Sequence, residues 1–350
     1  MSQALLALLT FLFTIFFPFF CVSNDASLYA LDLNAKAIQV DLSVLENGSV
    51  TTTSRPIFSL QQLYLSVGVP FQKDLSSSLI FGLDHSRTQL GIQEVAIQVS
   101  APLLFGRYWD DLGLKRTLFH FGQMRIPFGL LNTQFIPYRP FIDTPLVFKT
   151  LFQSHDLGFM GSGGTMQTTL PFSLPLDLSL GLWQQLPSAT HAVIDYRSAL
   201  TAYRLSTQVP LDPVNPLQIG VSHLASLSSR NGDPIQTLGL DFSYQKPLSN
   251  THSILMRHEW LQTRWQQRLY SGFYHYIATH FEPGYDLGVR YDYLSLPDTT
   301  TPETAFVFIL TRHVNDYAKA RIQYTLDLDQ ADTLSFQFIL GAGTDFSSSF

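Results

Sequence analysis

Charge is what this chain has least of. Among its 350 residues, Asp, Glu, Lys and Arg together make up 14%, against roughly 25% in an ordinary soluble domain. The balance is -6 with a pI near 5.9, so there is no basic footprint for nucleic acid. A content of 45% hydrophobic residues, with 28 Phe and 15 Tyr, excludes a disordered chain. Long apolar runs are missing beyond the N-terminus. The mean hydropathy of +0.10 is far too low for a helical membrane protein, whose spans each need about 20 apolar residues. Sustained helical periodicity is missing as well after residue 27.

The one long apolar run, Ala4 to Phe20, is followed by Cys21, Val22 and Ser23 and then by polar Asn24 and Asp25. Small residues at that exit, with Pro18 before them, predict a signal peptide spanning 1–23 that is cleaved after Ser23. A permanent N-terminal anchor is the competing reading, and the absence of Lys or Arg in the first three residues speaks for it. Cleavage removes Cys21, the chain's one cysteine. A mature chain without cysteine suits an envelope protein that needs no disulfides. Residues 24–350 are then read as a single domain.

What recurs through that domain is a strand of about ten residues followed by a turn cluster. Leu176, Leu178, Leu180 and Leu182 alternate with Asp177, Ser179 and Gly181. Leu238, Leu240, Phe242 and Tyr244 alternate with Thr237, Gly239, Asp241 and Ser243. Leu287, Val289, Tyr291 and Tyr293 alternate with Gly288, Arg290 and Asp292, and Leu334, Phe336, Phe338 and Leu340 form the last row. Such rows fit a soluble β-sandwich, whose apolar face packs on a second sheet, or a membrane barrel, whose apolar face meets lipid. Strand length decides for the barrel, because 10 to 13 residues suit a tilted crossing whereas soluble strands average about five or six. Aromatics placed as interfacial girdles (Tyr108 and Trp109, Trp260 and Trp265, Phe281 and Tyr285) and the terminal Phe350 agree.

The predicted fold is all-β, a transmembrane antiparallel β-barrel of about sixteen strands, 14 and 18 being the neighbouring counts. The predicted strands are 28–43, 57–69, 76–86, 93–104, 116–126, 156–169, 175–187, 196–209, 216–226, 235–246, 252–264, 268–279, 285–296, 304–312, 318–327 and 332–342. Parity supports the first of them. With it included, the short proline-bearing turns fall on the side of both termini, and the one long connection falls on the opposite, external side.

That connection follows the fifth strand. Leu118 to Ile126 alternates as a strand, breaks at Pro127-Phe128-Gly129, and strand character returns near Leu157. A structureless link of roughly 30 residues is uncommon and usually functional. Pro137, Pro140 and Pro145 make it stiff, and no helix is expected in it. The expectation is that it folds inward and narrows the barrel.

GQMRIPFG, Gly122 to Gly129, resembles the G-Q-F-x-x-P-F-G element of the phosphate-selective-porin-like (porin O/P-type) outer-membrane barrels. The likeness continues through Leu131-Asn132, Pro140-Phe141-Ile142-Asp143, Pro145-Leu146 and Gly158. Ile92 to Leu104 is similar to the acidic strand that precedes the element, and GVRYDYL (Gly288 to Leu294) and ARIQYTLD (Ala320 to Asp327) to the closing strands. The resemblance implies a bacterial outer-membrane porin, embedded in lipid and associated as a homotrimer. Some relatives carry His-x-His in the inward segment, where this chain has Phe135 and Pro137; its ten histidines are scattered, only His275 and His280 standing at ligand spacing, and no metal is expected in the chain.

Arg125, Arg139 and Lys149 against Asp143 give the expected constriction two excess positive charges, and cationic rings enrich anions. The competing reading leaves these residues solvated on the outer surface. Arg204, Arg257, Glu259, Arg290 and Asp292 fall on the expected lumen wall, where both signs can pair across strands. HEWLQ at His258 lacks a second zincin His, and GSGGT at Gly161 lacks a P-loop Lys. No enzyme activity and no cofactor are expected. The function expected is passive diffusion of small hydrophilic solutes or ions with an anion bias. A closed barrel serving as a surface binding protein or rim-located enzyme is the alternative.

Overall fold

In the computed structural model, the described residues are 34–47, 58–72, 75–84, 89–101, 117–134, 139–152, 159–185, 199–211, 215–227, 234–249, 251–281, 284–315, 318–327 and 332–340, with side chains described from residue 95 onward. The expected signal segment 1–23, together with Tyr108, Trp109, Phe135, Pro137 and Phe350, lies outside them.

Sixteen antiparallel strands follow one another around a closed barrel. They are β1 (Asn34–Asn47), β2 (Phe58–Gln72), β3 (Leu75–Asp84), β4 (Gln89–Ser100), β5 (Leu118–Arg125), β6 (Met160–Leu170), β7 (Leu176–Gln185) and β8 (Ala199–Pro210). Next come β9 (Pro216–Ser226), β10 (Gln236–Pro247), β11 (His252–Trp265), β12 (Arg268–Phe281), β13 (Tyr285–Ser295), β14 (Glu303–Asn315), β15 (Ala318–Asp327) and β16 (Thr333–Leu340). The closing seam pairs β1 with β16 from Val40↔Leu340 to Asn47↔Thr333. Closure leaves no sheet edge, so every strand finds backbone partners on both sides, as a lipid surround demands.

The two faces of the wall differ as the alternation requires. Leu238, Leu240, Leu287, Val289, Phe306 and Phe308 are exposed outward, whereas Thr237, Asp241, Arg290 and Asp292 are buried inward. β14 is apolar on both faces, because inward Val307 and Ile309 join a core inside the barrel. Two girdle expectations need correction. Trp260 sits mid-strand, opposite Leu240 and Phe273. Trp265, at a strand end, packs against the internal core instead of facing outward, since its odd position on β11 shares the inward face of Leu261 and Thr263. Phe281 and Tyr285 do stack at a strand end, with ring centroids 6.0 Å apart.

The long connection folds into the barrel, with one feature that the prolines hid. Leu146–Phe152 is a helix, α1. Pro145 lies just before its first residue, and its carbonyl accepts hydrogen bonds from the N–H groups of Phe148 and Lys149, both at 3.0 Å. Proline is tolerated at a helix start, where its missing N–H has no intrahelical role. Val147, Phe148, Leu151 and Phe152 form the buried stripe of α1, a 3.6-residue pattern compressed into two turns.

Candidate functional site

The inward segment begins by extending the sheet. Ile126 N–H donates to the Phe159 carbonyl at 3.0 Å, continuing the β5–β6 ladder past Arg125. Asn132 then clamps both ends of the excursion. Its Nδ2 donates to the carbonyls of Ile126 (2.7 Å) and Phe159 (3.0 Å), and its Oδ1 accepts from Phe159 N–H at 2.6 Å. Asparagine suits this place because one amide supplies both donors and an acceptor.

The turn at Gly129 to Gln134 is held by side chains of the opposite wall. Gly129 N–H donates to Ser222 Oγ at 3.0 Å. Leu130 and Leu131 N–H donate to the two carboxyl oxygens of Glu259 at 3.0 and 3.1 Å, and Tyr274 Oη–H adds a third donor at 3.1 Å. Glu259 is fully buried. Gly129 has φ +68°, and a Cβ there would lie 1.8 Å from Glu259 Oε1, so the close approach requires glycine. Behind the turn, Arg204 on β8 reaches over β9 to Asp241 on β10 in a two-pronged pair at 2.5 and 2.9 Å. Gly220, between them, leaves the room, since a Cβ would stand 2.6 Å from both side chains.

Further along, Asp143 is tied down from the wall. Arg290 Nη2 donates to its Oδ1 at 3.0 Å and Nη1 to its carbonyl at 3.1 Å, and Gln323 Nε2 donates to the same Oδ1 at 2.5 Å. Arg290 also grips Asp292 through Nε and Nη2, both at 2.9 Å, and lies 4.5 Å over the Phe141 ring. Asp292 in turn accepts from Leu146 N–H, at the start of α1, at 3.3 Å. Gln323 Oε1 accepts Ile142 N–H at 2.8 Å.

Apolar packing completes the attachment. Phe128, Leu131, Phe141, Val147, Phe148, Leu151 and Phe152 are buried against inward residues of β8 to β14, among them Leu200, Leu224, Leu261, Tyr274, Tyr276 and Val307. Phe141 meets Tyr274 and Tyr276 edge-on at 5.7 and 5.6 Å. The segment therefore carries a small core of its own inside the barrel.

Of the four residues expected at the constriction, three retain exposure. Lys149 is exposed on the face of α1 opposite its buried stripe, and the Asp143 side chain is 45% exposed. Arg139 is buried. Arg125 is half-buried and donates from Nη1 to the Gln134 carbonyl at 2.5 Å. Four of the five wall residues, Arg257, Glu259, Arg290 and Asp292, meet the segment, and Arg204 pairs with Asp241 on the wall behind it. Arg257 donates to Gln134 Oε1 at 2.9 Å, and the partners of Arg204, Glu259, Arg290 and Asp292 are those given above.

Sequence reasoning did not assign roles to Asn132, Ser222, Asp241, Tyr274 or Gln323. Asn132 and Gly129 were visible as parts of the family-like stretch, and Asp241 as a charge on an alternating row, but their partners stand many strands away. The histidines looked scattered in the sequence. The fold nonetheless gathers His280, Asp286 and His313 on β12, β13 and β14.

No protein-family model matches the chain, and no curated protein does. Solved structures do resemble it. OmpF of Salmonella typhi, in complex with daunomycin, superposes with a TM-score of 0.59 at 10% identity, covering 87% of this chain and 96% of that one. The anion-selective porin from Comamonas acidovorans gives 0.58 at 7% identity, covering 87% and 97%. The outer-membrane channel DcaP of Acinetobacter baumannii gives 0.55 at 9%, covering 87% and 95%. At identities this low the likeness shows the barrel fold alone.

Proposed function

We propose that the chain forms an outer-membrane channel through which small hydrophilic solutes or ions diffuse passively. The observation that carries this reading is a long segment anchored halfway down a closed, lipid-compatible barrel. Glu259, Asp292 and Gln323, its anchors, lie in the interior of β11, β13 and β15 rather than at their ends. A barrel of about this strand number leaves an aqueous lumen, and a segment fixed on one side of it sets bore and charge without closing it. Lys149 and the partly exposed Asp143, with Arg290 beneath it, are the groups a passing ion meets. Arg125, half-buried, and Arg139, buried, add to an anion bias. Association of three barrels is part of the same reading by analogy of fold alone.

Planar-bilayer recording tests the proposal. The refolded chain is expected to insert as discrete conductance steps, and deletion of 130–150 is expected to enlarge them. A reversal potential in a salt gradient is expected to show anion preference. Insertion without current would overturn the channel reading, and an unchanged step after the deletion would remove the role of the segment.

A further inference from the structure

A second polar cluster lies apart from the anchors of the inward segment. His280 is the penultimate residue of β12, Asp286 the second of β13, and His313 is close to the end of β14. The register places His280 directly across from Asp286, and Asp286 across from Thr311, one diagonal step from His313. Parity turns all three toward the lumen. Asp286 shares a face with Arg290 and Asp292, His280 with Tyr274 and Tyr276, and His313 with Val307 and Ile309, all of them buried inward.

Local geometry fixes the cluster. His313 N–H donates to the Gly284 carbonyl at 2.8 Å, tying β14 to the β12–β13 turn. A register shift between His313 and Asn315 ends the regular pairing with β15 at that point. His280 Nδ1 lies 2.6 Å from Asp286 Oδ1, and His313 Nε2 lies 2.6 Å from Asp286 Oδ2. One ligand atom from each residue falls within 4.8 Å of the others. The Asp286 side chain is 5% exposed, and among the described residues its hydrogen-bond partners are these two imidazoles. A carboxylate this buried needs a cationic or hydrogen-bonding partner.

We propose that His280, Asp286 and His313 bind a divalent transition metal of the zinc class at the end of the barrel where β1 begins and β16 ends. Two imidazole nitrogens and one carboxylate oxygen suit Zn²⁺, Cu²⁺ or Ni²⁺ over the hard cations, which prefer all-oxygen shells. Three protein ligands leave a fourth position for water. Taking up the ion displaces the protons shared between Asp286 and the rings. Each N···O separation then widens from 2.6 Å to about 3.3 Å, the edge of a tetrahedron with bonds of ~2.0–2.1 Å. Side-chain rotation supplies that change. Lys319, buried and paired with His313 across β14–β15, opposes a cation electrostatically, which weakens the site without altering its donor set.

The test is a Co²⁺ titration of the refolded, metal-free barrel in detergent, followed by Zn²⁺ competition. One equivalent of Co²⁺ is expected to produce the strong visible bands of tetrahedral cobalt, and one equivalent of Zn²⁺ to remove them. The double variant His280→Gln/His313→Gln is expected to lose the bands. His275→Gln is expected to keep them, since that ring belongs to the separate His258–His275 pair, with centroids 5.8 Å apart. If the double variant does not refold, His313→Gln alone decides, with affinity falling roughly tenfold or more. A wild-type barrel without the cobalt spectrum, or a variant that retains it, overturns the proposal. Since the readout needs no ion current, it stands or falls separately from the channel reading.

Discussion

Replacing Glu259 with Ala separates the two kinds of attachment that hold the inward segment. The substitution removes the acceptor for the Leu130 and Leu131 N–H groups. Each buried donor left without a partner costs ~1–3 kcal/mol, so the turn loses about 2–6 kcal/mol. The apolar side of the attachment is larger. Phe128, Leu131, Phe141, Val147, Phe148, Leu151 and Phe152 are each 5% exposed or less, and burying such side chains stabilises by ~1.5–3 kcal/mol apiece, or about 10–20 kcal/mol together. The packing wins. Glu259→Ala is therefore expected to leave single-channel conductance close to that of the unmodified barrel. Its effect should be local, with amide exchange at Leu130 and Leu131 accelerating by roughly 30-fold at the low end of the range. Amide exchange followed by mass spectrometry on the refolded barrel reads the first quantity, and bilayer recording the second. If Glu259→Ala alone raised conductance as far as deletion of 130–150, the apolar contacts would not be what keeps the segment in place, and the reasoning would fail.

Other substitutions probe the remaining links. Gly129→Ala drives a Cβ into the Glu259 carboxyl at a positive φ, so the refolding yield and the heat at which the barrel unfolds on a gel should both fall. Asn132→Asp turns the donor that meets the Ile126 and Phe159 carbonyls into an acceptor; it should destabilise more than Asn132→Ala, and the reverse order in a urea titration would refute the clamp. Lys149→Glu should fold normally and move the reversal potential toward cations, whereas Arg139→Glu, at a buried position, should lower folding yield; an unmoved reversal potential clears Lys149 of a selectivity role. Leu240→Arg places a charge on an outward side chain that is 43% exposed, at a cost of ~2–4 kcal/mol near the bilayer midplane; no loss of stability in lipid vesicles would contradict a lipid-facing wall.

The wall was legible because its chemistry is periodic. A strand such as Gln236–Pro247 states its two faces in every residue pair, and the sixteen observed strands follow the expected order with shifted ends, as at β1. The inward segment was legible as an exception to that period, but its contents were not. Three prolines concealed α1, since only the position of Pro145 relative to Leu146 makes it a start signal rather than a breaker. The anchors were hidden for a different reason. Glu259 and Leu131 stand 128 residues apart, and Arg290 and Asp143 stand 147 apart, distances that no local pattern spans. The same holds for His280, Asp286 and His313, which the order of strands brings together and their spacing does not.

Charge counting along a sequence treats every Arg and Lys of the segment as facing the solute, and the geometry redistributes them. Arg290 binds two carboxylates, those of Asp143 and Asp292, so this trio carries one net negative charge instead of contributing an isolated cation. Arg204 and Asp241 cancel behind the turn. What remains near the exposed edge is Lys149 on the outer face of a helix whose other face is packed against β12 and β13. Any anion preference thus rests first on the exposed Lys149 ammonium, with half-buried Arg125 and buried Arg139 adding less. It should be weak and strongly screened, since the Debye length shrinks to about 3 Å in molar salt. Reversal potentials taken at rising ionic strength should converge on the value set by bulk ion mobilities. A preference that persisted in molar salt would have to come from buried charge, and Arg139 would then replace Lys149 as the residue to examine.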